Sequence, residues 1–312
     1  MPSFQAMDLR QLAALTAVSE AGTFSAAAAR LHTVQSNVSA HIARLEQILG
    51  ATLFDRTAGR LTEEGEIVVA RARRVQAELD AMVADVVALR HEVTGEVRIG
   101  VIGTVARWLV PPLHLRLKEL HPGVQMIVVD ASTTSLIPQL VGGNLNIAIV
   151  NLPVEEEDVS VRPLFDEDMF AVVPVSHRLH RRKSLGLADL VGMPLLLPPR
   201  GRSYRTALDV AAKQAGLELS PKAEIDGVIL IASLAVDGLG IGIVPSTGVP
   251  KDFGGSWRRV PLDGLPRRKV GLAQRRRGMQ SAPTRALLQA LSEVLPGEVR
   301  NHPGVHLLST DC

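Results

Sequence analysis

A single cysteine stands in 312 residues, and it is the last of them, Cys312. One thiol forms no intrachain disulfide, no cysteine-based zinc cluster and no paired redox switch. Aromatic residues make up 3% of the chain, with one Tyr, too few for a base-stacking surface that holds single-stranded nucleic acid. No apolar run approaches the ~18 residues of a membrane helix. The first ten residues lack the basic start and apolar core of a secretory signal, so the expected location is the cytoplasm, where a lone thiol stays reduced. An excess of one charge is also missing. Lys and Arg number 34 against 32 Asp and Glu, a net of +2, which excludes a histone-like binder held by bulk charge. There is no P-loop and no G-x-S-x-G elbow, and Gly238, Gly240 and Gly242 precede a strand rather than open a helix. His177 and His180 have no carboxylate cluster beside them in sequence. Enzyme, cofactor and metal are therefore not expected.

What is present begins with three short helices. Asp8 and Gln11 have the spacing of a capping box, Leu9, Leu12, Leu15 and Val18 follow helical spacing, and Gly22 suits a stop. Thr23 or Ser25 is placed to cap a second helix over 26–31, rich in Ala. After His32-Thr33-Val34 a third helix is predicted over 35–49, with Val38, Ile42, Leu45 and Leu49 on one face and Gly50 at its end. Its other face carries Gln35, Ser36, Asn37, Ser39, His41 and Arg44. Two helices, a three-residue joint and a polar-faced second helix are the pattern of a helix-turn-helix, whose second helix reads the major groove. Gln and Asn pair with adenine and Arg with guanine. A plain helical hairpin with a solvated face fits this spacing equally well. Residues 53–65 suggest a small β-ribbon around Ala58-Gly59, which would present Arg56 and Arg60 to phosphates; a surface turn is the alternative. Over 1–62 five arginines face four acidic residues, an electrostatic footprint too weak to bind DNA without paired half-sites.

A long helical stretch follows. Val68, Ala72, Val75, Leu79, Met82, Val86 and Leu89 recur at spacings of 4 and 3, the seam of a two-stranded coil. Dimerisation through this seam is favoured over an internal core helix. From 94 onward, an apolar run with β-branched residues at 97–101 and further strand segments at 125–129, 147–150, 169–173, 195–197, 223–225, 241–244 and 270–273 alternate with helical patterns. That texture predicts two parallel α/β lobes across a cleft. The layout expected is thus a DNA-binding domain over 1–65, a linker helix over 66–93, a two-lobed domain over 94–295 and a loose tail over 296–312, which shows no periodicity. Arg275, Arg276 and Arg277, with Arg267, Arg268 and Lys269, read as a solvated edge or a subunit contact rather than a second DNA site.

Ligands of α/β sheets bind beyond the carboxyl ends of strands, where helix N-termini attract anions. Those positions hold Thr104, Ser132, Thr133 and Asn151 in the first lobe and Arg200 and Ser203 in the second. Each hydroxyl is as readily a helix cap as a ligand contact. Arg200 and Arg202 suit a carboxylate or other anion.

The segment MDLRQLAALTAVSEAGTFSAAAARLHTVQSNVSAHIARLEQILGATLFDRT strongly resembles the N-terminal domain of LysR-type transcriptional regulators. The stretches VIGTVARWLVPPL, HPGV, LVGGNLNIAIV and GLGIGIVP are similar to that family's effector domain. The resemblance implies an α+β multidomain fold: an N-terminal winged helix-turn-helix, a long dimerising linker helix, and a C-terminal two-lobed α/β domain like periplasmic solute-binding proteins. It also implies double-stranded DNA, a small-molecule effector, dimers or tetramers, and RNA polymerase as partners. Position by position it places Ser25, Thr33, Gln35, Ser36, Asn37, Ser39, His41, Arg44, Arg56 and Arg60 toward DNA, and Thr104, Ser132, Thr133 and Arg200 toward the effector. Val34 stands where the family usually has Ser; Val cannot cap a helix, so Thr33 is expected to do so. The reading from another class is a solute-binding, transport-type protein, which the N-terminal helix-turn-helix disfavours.

Overall fold

Residues 7–89, 93–249 and 257–308 are described by a computed structural model. The chain forms two units, one running from the N-terminus to Val86 and one built from nearly all that follows.

In the first unit Asp8 and Gln11 form the capping box of α1 (Leu9–Ala21), and Gly22 ends it at φ 75, in the left-handed region that glycine enters without strain. The second helix, α2 (Phe24–Arg30), starts two residues before the expected 26. Thr23 is its cap, its Oγ1 accepting from the Ala26 N–H at 3.2 Å, so Ser25 lies inside the helix and does not cap it. The third, α3 (Gln35–Leu49), has the expected bounds. Its cap position is Val34, which makes no side-chain bond. Thr33 does not supply the missing cap: its hydroxyl accepts from Asn37 Nδ2 at 3.0 Å. Two short strands, β1 (Phe54–Asp55) and β2 (Arg60–Leu61), pair antiparallel into the ribbon. Leu15, Val18, Val38, Ile42, Leu45 and Leu53 form the core beneath.

The long helix, α4 (Glu63–Ala88), begins three residues before the predicted linker. Thr62 Oγ1 accepts from the Gly65 N–H at 3.0 Å and fixes that start. A Cβ at Gly65 would lie 2.0 Å from the Leu53 carbonyl oxygen, so only glycine lets the helix leave against the ribbon. Val69 and Ala72 are buried in the N-terminal unit. Beyond them the helix leaves several apolar residues uncovered: Met82 is 58% exposed and Val83 60%.

The second unit holds two sheets. The first is six-stranded, in the order β13-β6-β12-β5-β3-β4, built from β3 (Gly95–Val101), β4 (Val124–Asp130), β5 (Ile147–Asn151), β6 (Val159–Glu167), β12 (Arg268–Arg275) and β13 (Val305–Leu307). Strands β4, β3 and β5 are parallel; β12 runs against them, and β6, antiparallel to β12, runs with them again. Helices α5 (Gly103–Leu120), α6 (Thr133–Val141) and α9 (Ala282–Arg300) cover it. The second sheet has the order β11-β7-β10-β8-β9, from β7 (Met169–Pro174), β8 (Leu195–Leu197), β9 (Pro221–Glu224), β10 (Ile241–Pro245) and β11 (Trp257–Pro261). It is packed by α7 (Ser203–Gln214) and α8 (Val228–Val236), with Leu208 among one group of buried neighbours and Ile231 among another. The chain passes between the sheets twice, through Asp168 and through residues 262–267.

Three expectations change here. The tail predicted from 296 is ordered through Leu307: α9 continues to Arg300, and β13 pairs with β6 at the sheet edge. Strand β6, absent from the sequence reading, forms because it pairs with β12, more than 90 residues away. Strand β11 was likewise unread; it forms by pairing with β7.

Candidate DNA-reading face and effector cleft

The exposed side of α3 gathers Gln35, Ser36, Asn37 and Arg44, with Ser39 and His41 half-buried beside them. Burial of Val38, Ile42 and Leu45 fixes which side that is. The ribbon joins it: Arg56 Nη2 donates to Ser39 Oγ at 3.0 Å, and its guanidinium stacks 5.4 Å from the centre of the Phe24 ring, which packs edge-on against Phe54. Arg60 is exposed on the same ribbon, and Asp55 beside it is held below its usual carboxylate range by the N–H groups of Ala58 and Thr57. Arg44 donates to Gln47 at 3.0 Å, so it meets the solvent already oriented. Ser25 is exposed on α2. Val34 offers no side-chain acceptor to the N–H groups that open α3, and the Asn37 N–H goes to the Val34 carbonyl at 3.0 Å.

The second cluster lies between the two sheets. Arg202, just before α7, donates to Thr134 Oγ1 on the first lobe at 2.7 Å and pairs with Asp226 on its own. Ser132 Oγ lies 2.9 Å from Thr134 Oγ1 and 3.0 Å from Ser135 Oγ, and Thr133 Oγ1 accepts from the Asn151 N–H at 3.0 Å. Asn151 Oδ1 is buried without a partner among the described residues. Ser132, Thr133 and Asn151 are thus drawn together. Arg200 is exposed, and Arg202 is the arginine that crosses. Ser203 is the first residue of α7, and its side chain lies outside the described residues.

Thr104 is placed elsewhere. It is buried, and Arg268 Nη2 donates to its hydroxyl at 2.9 Å. Arg268 Nε also donates to Glu167 at 2.7 Å, and the Thr247 hydroxyl donates to Glu167 at 2.5 Å. This network joins both lobes where the chain crosses between them. Arg267 pairs with Asp168 at 2.8 Å, and His306 of β13 reaches the same carboxylate at 3.0 Å. Burial raises the Asp168 carboxyl, but bonds from His306 and Arg267 outweigh it and hold the group below its usual range. Sequence reading missed Arg202 as the crossing group, and the whole Glu167 network, whose members are far apart along the chain. Arg205, also unread, is 1% exposed and binds the Pro198 carbonyl, Asp209 and Glu224, which fixes the loop that carries Arg202.

A helix-turn-helix with a ribbon, followed by a two-lobed α/β unit, defines an effector-responsive DNA-binding regulator. The profile of the LysR substrate binding domain matches residues 90–296, and that of the bacterial regulatory helix-turn-helix protein of the lysR family matches 9–66. The chain belongs to the LysR-type family of transcriptional regulators. A probable hydrogen peroxide-inducible genes activator of Streptomyces viridosporus is 33% identical, with 92% of this chain and 94% of that one covered. The DNA-binding transcriptional dual regulator OxyR of Escherichia coli K12 is 28% identical over 95% and 97% of the two chains. Among solved structures, full-length OxyR from Pseudomonas aeruginosa, carrying a cysteine-to-aspartate substitution, superposes with a TM-score of 0.75 at 25% identity over 98% and 99%. Full-length CbnR in complex with its target DNA superposes at 0.67 with 24% identity over 94% and 100%, a likeness of fold. Among the described residues no single helix is long and apolar enough to cross a membrane.

Proposed function

We propose that this regulator binds its operators as a dimer through Gln35, Ser36, Asn37 and Arg44, with Arg56 and Arg60 on flanking phosphates. The dimer is joined along α4, and DNA affinity is set by a small non-covalent effector in the cleft of Ser132, Thr133, Asn151 and Arg202. The observation that carries the DNA part is the exposed polar face of α3 with Arg56 already fixed against Ser39. Affinity then comes from two half-sites and from polar contacts rather than net charge. Dimers with RNA polymerase as a further partner, working in the cytoplasm without a catalytic step, complete this reading.

Relatives carry the name of peroxide-inducible activators. Peroxide chemistry by an intrachain disulfide consumes two thiols and one peroxide and releases two waters. This sequence has one cysteine, Cys312. An effector held by hydrogen bonds and ion pairs is therefore the reading for this chain. Arg202 supports an anionic effector: its guanidinium spans both lobes, so a ligand that takes it from Thr134 changes how they are joined.

Gln35→Ala tests the DNA reading. A bidentate base contact contributes about 1–3 kcal/mol of discrimination. The expected result is a roughly 5- to 150-fold loss on the operator and little change on random DNA, measured by anisotropy at fixed salt. Equal losses on both DNAs would remove Gln35 as a base reader.

A further inference from the structure

The side chain of Val34 serves no packing need of the fold. Val34 is the cap residue of α3, extended at φ −99 and ψ 151, and its side chain caps nothing. It is 59% exposed, whereas Val38, Ile42 and Leu45 of the helix it opens are buried. Ser, Thr, Asp or Asn at a cap position stabilises a helix, and valine forgoes that gain. The chain thus sets a branched apolar group in water where a polar one would strengthen the fold. The place is the leading end of α3. Gln35, Ser36 and Asn37 follow directly and are exposed with it. In a helix-turn-helix the first residues of the second helix are the ones that touch base edges.

A second observation points to what Val34 meets there. Asn37 Nδ2 donates to the Thr33 hydroxyl at 3.0 Å, and the Asn37 N–H is bonded to the Val34 carbonyl. The Asn37 amide is therefore held next to Val34 with one of its hydrogens used. Its Oδ1 and second hydrogen remain, the pair that adenine N6–H and N7 take. Adenine is paired with thymine, and thymine alone among the bases carries a methyl group in the major groove. Valine has no donor for a phosphate and no polar atom for another base edge. Contact between its methyls and that of thymine releases water from both. We propose that Val34 reads a thymine methyl at or next to the A·T pair addressed by Asn37, which makes the first turn of α3 selective for A·T. This rests on the DNA reading of α3 given above and adds to it an apolar contact that senses a single methyl group.

The test is a scan in which each thymine of an operator duplex is replaced by deoxyuridine, which keeps the base pair and removes only the methyl. The duplex is one selected from random sequence by the full chain, and affinities are read by competition anisotropy at fixed salt. Deoxyuridine at one particular thymine of a half-site should weaken the parent protein by about 3- to 5-fold, the contribution of one buried methyl group. Val34→Ser should bind the thymine and deoxyuridine duplexes alike at that position. It should also melt no lower than the parent, since serine can cap α3. Comparing the two duplexes within one variant cancels any general gain or loss that the new hydroxyl brings. Gln35→Ala should keep the parent's ratio at that thymine. A scan that is flat at every thymine overturns the proposal. So does a ratio that survives Val34→Ser, which assigns the methyl contact to another residue. If Gln35→Ala still loses affinity on that operator in either case, α3 remains the reading helix and only the role of Val34 falls; if it does not, the DNA reading falls as well.

Discussion

Glu167 shows how one residue can be right for a position that its neighbours in sequence do not explain. It is fully buried, and a buried carboxylate is tolerated only when paired and hydrogen-bonded. Arg268 stands opposite it in the β6–β12 register, and Thr247 adds a donor. The same arginine occupies the hydroxyl of Thr104, which the family pattern assigns to the effector. Replacing Arg268 by Met would keep the volume and strand the charge. The expected cost is about 3–5 kcal/mol, seen as a lowered urea midpoint. The double variant Arg268→Met with Glu167→Gln should recover a large part of it, because the unpaired charge is gone. A single variant as stable as the parent would show that Glu167 has another partner. Val34 is the opposite case. Its departure from the family's serine was visible in sequence, but the response was not: the cap is left open, and Thr33 turns to Asn37.

At the scale of elements, legibility followed the range of the forces. Helices α1 and α3 and their caps were readable because the spacing, the capping box and Gly22 and Gly50 act within a few residues. Strands β3, β5 and β10 were readable as short β-branched runs and β8 as a short apolar one. Strand β6 was not. It carries Pro163 and ends in Asp166-Glu167, which reads as a loop until Arg268 from the far end of the chain neutralises it. Strand β13 is three residues held by pairing with β6 and by His306 on Asp168, with no local pattern to announce it. The cleft was half readable: strand ends pointed to Ser132, Thr133 and Asn151, but which arginine crosses depends on tertiary geometry. The α4 seam is legible in both ways. Val68 packs on its own N-terminal core, so the proposed dimer seam would begin further along, at Val75 and Leu79. Leu79→Lys would place two ammonium groups in that seam. Sedimentation is expected to show dimer shifting to monomer, with operator affinity falling because half-sites no longer bind together. An unchanged mass would move the subunit contact elsewhere.

For the whole molecule, the question is what kind of signal reaches the DNA. An effector changes operator affinity only by binding two arrangements of the protein unequally, and the operator must change effector affinity by the same factor. A disulfide switch needs no such ligand, but it needs two sulfurs. Within one chain here there is one, Cys312. A disulfide could join only two copies through their last residues. The two mechanisms separate in one measurement. Reduced protein is treated with an excess of hydrogen peroxide, the excess is removed, and operator affinity is compared with the untreated sample and with Cys312→Ser treated alike. The expected outcome is the same affinity in all arms, together with a thiol titration showing whether Cys312 was oxidised. Peroxide-dependent affinity in the parent protein that vanishes in Cys312→Ser would assign the response to oxidation of Cys312, as a sulfenic acid or as a link between chains, and overturn the non-covalent reading. A change that persists in Cys312→Ser would assign the response to oxidation of another side chain, with the exposed thioethers of Met82 and Met279 first in order.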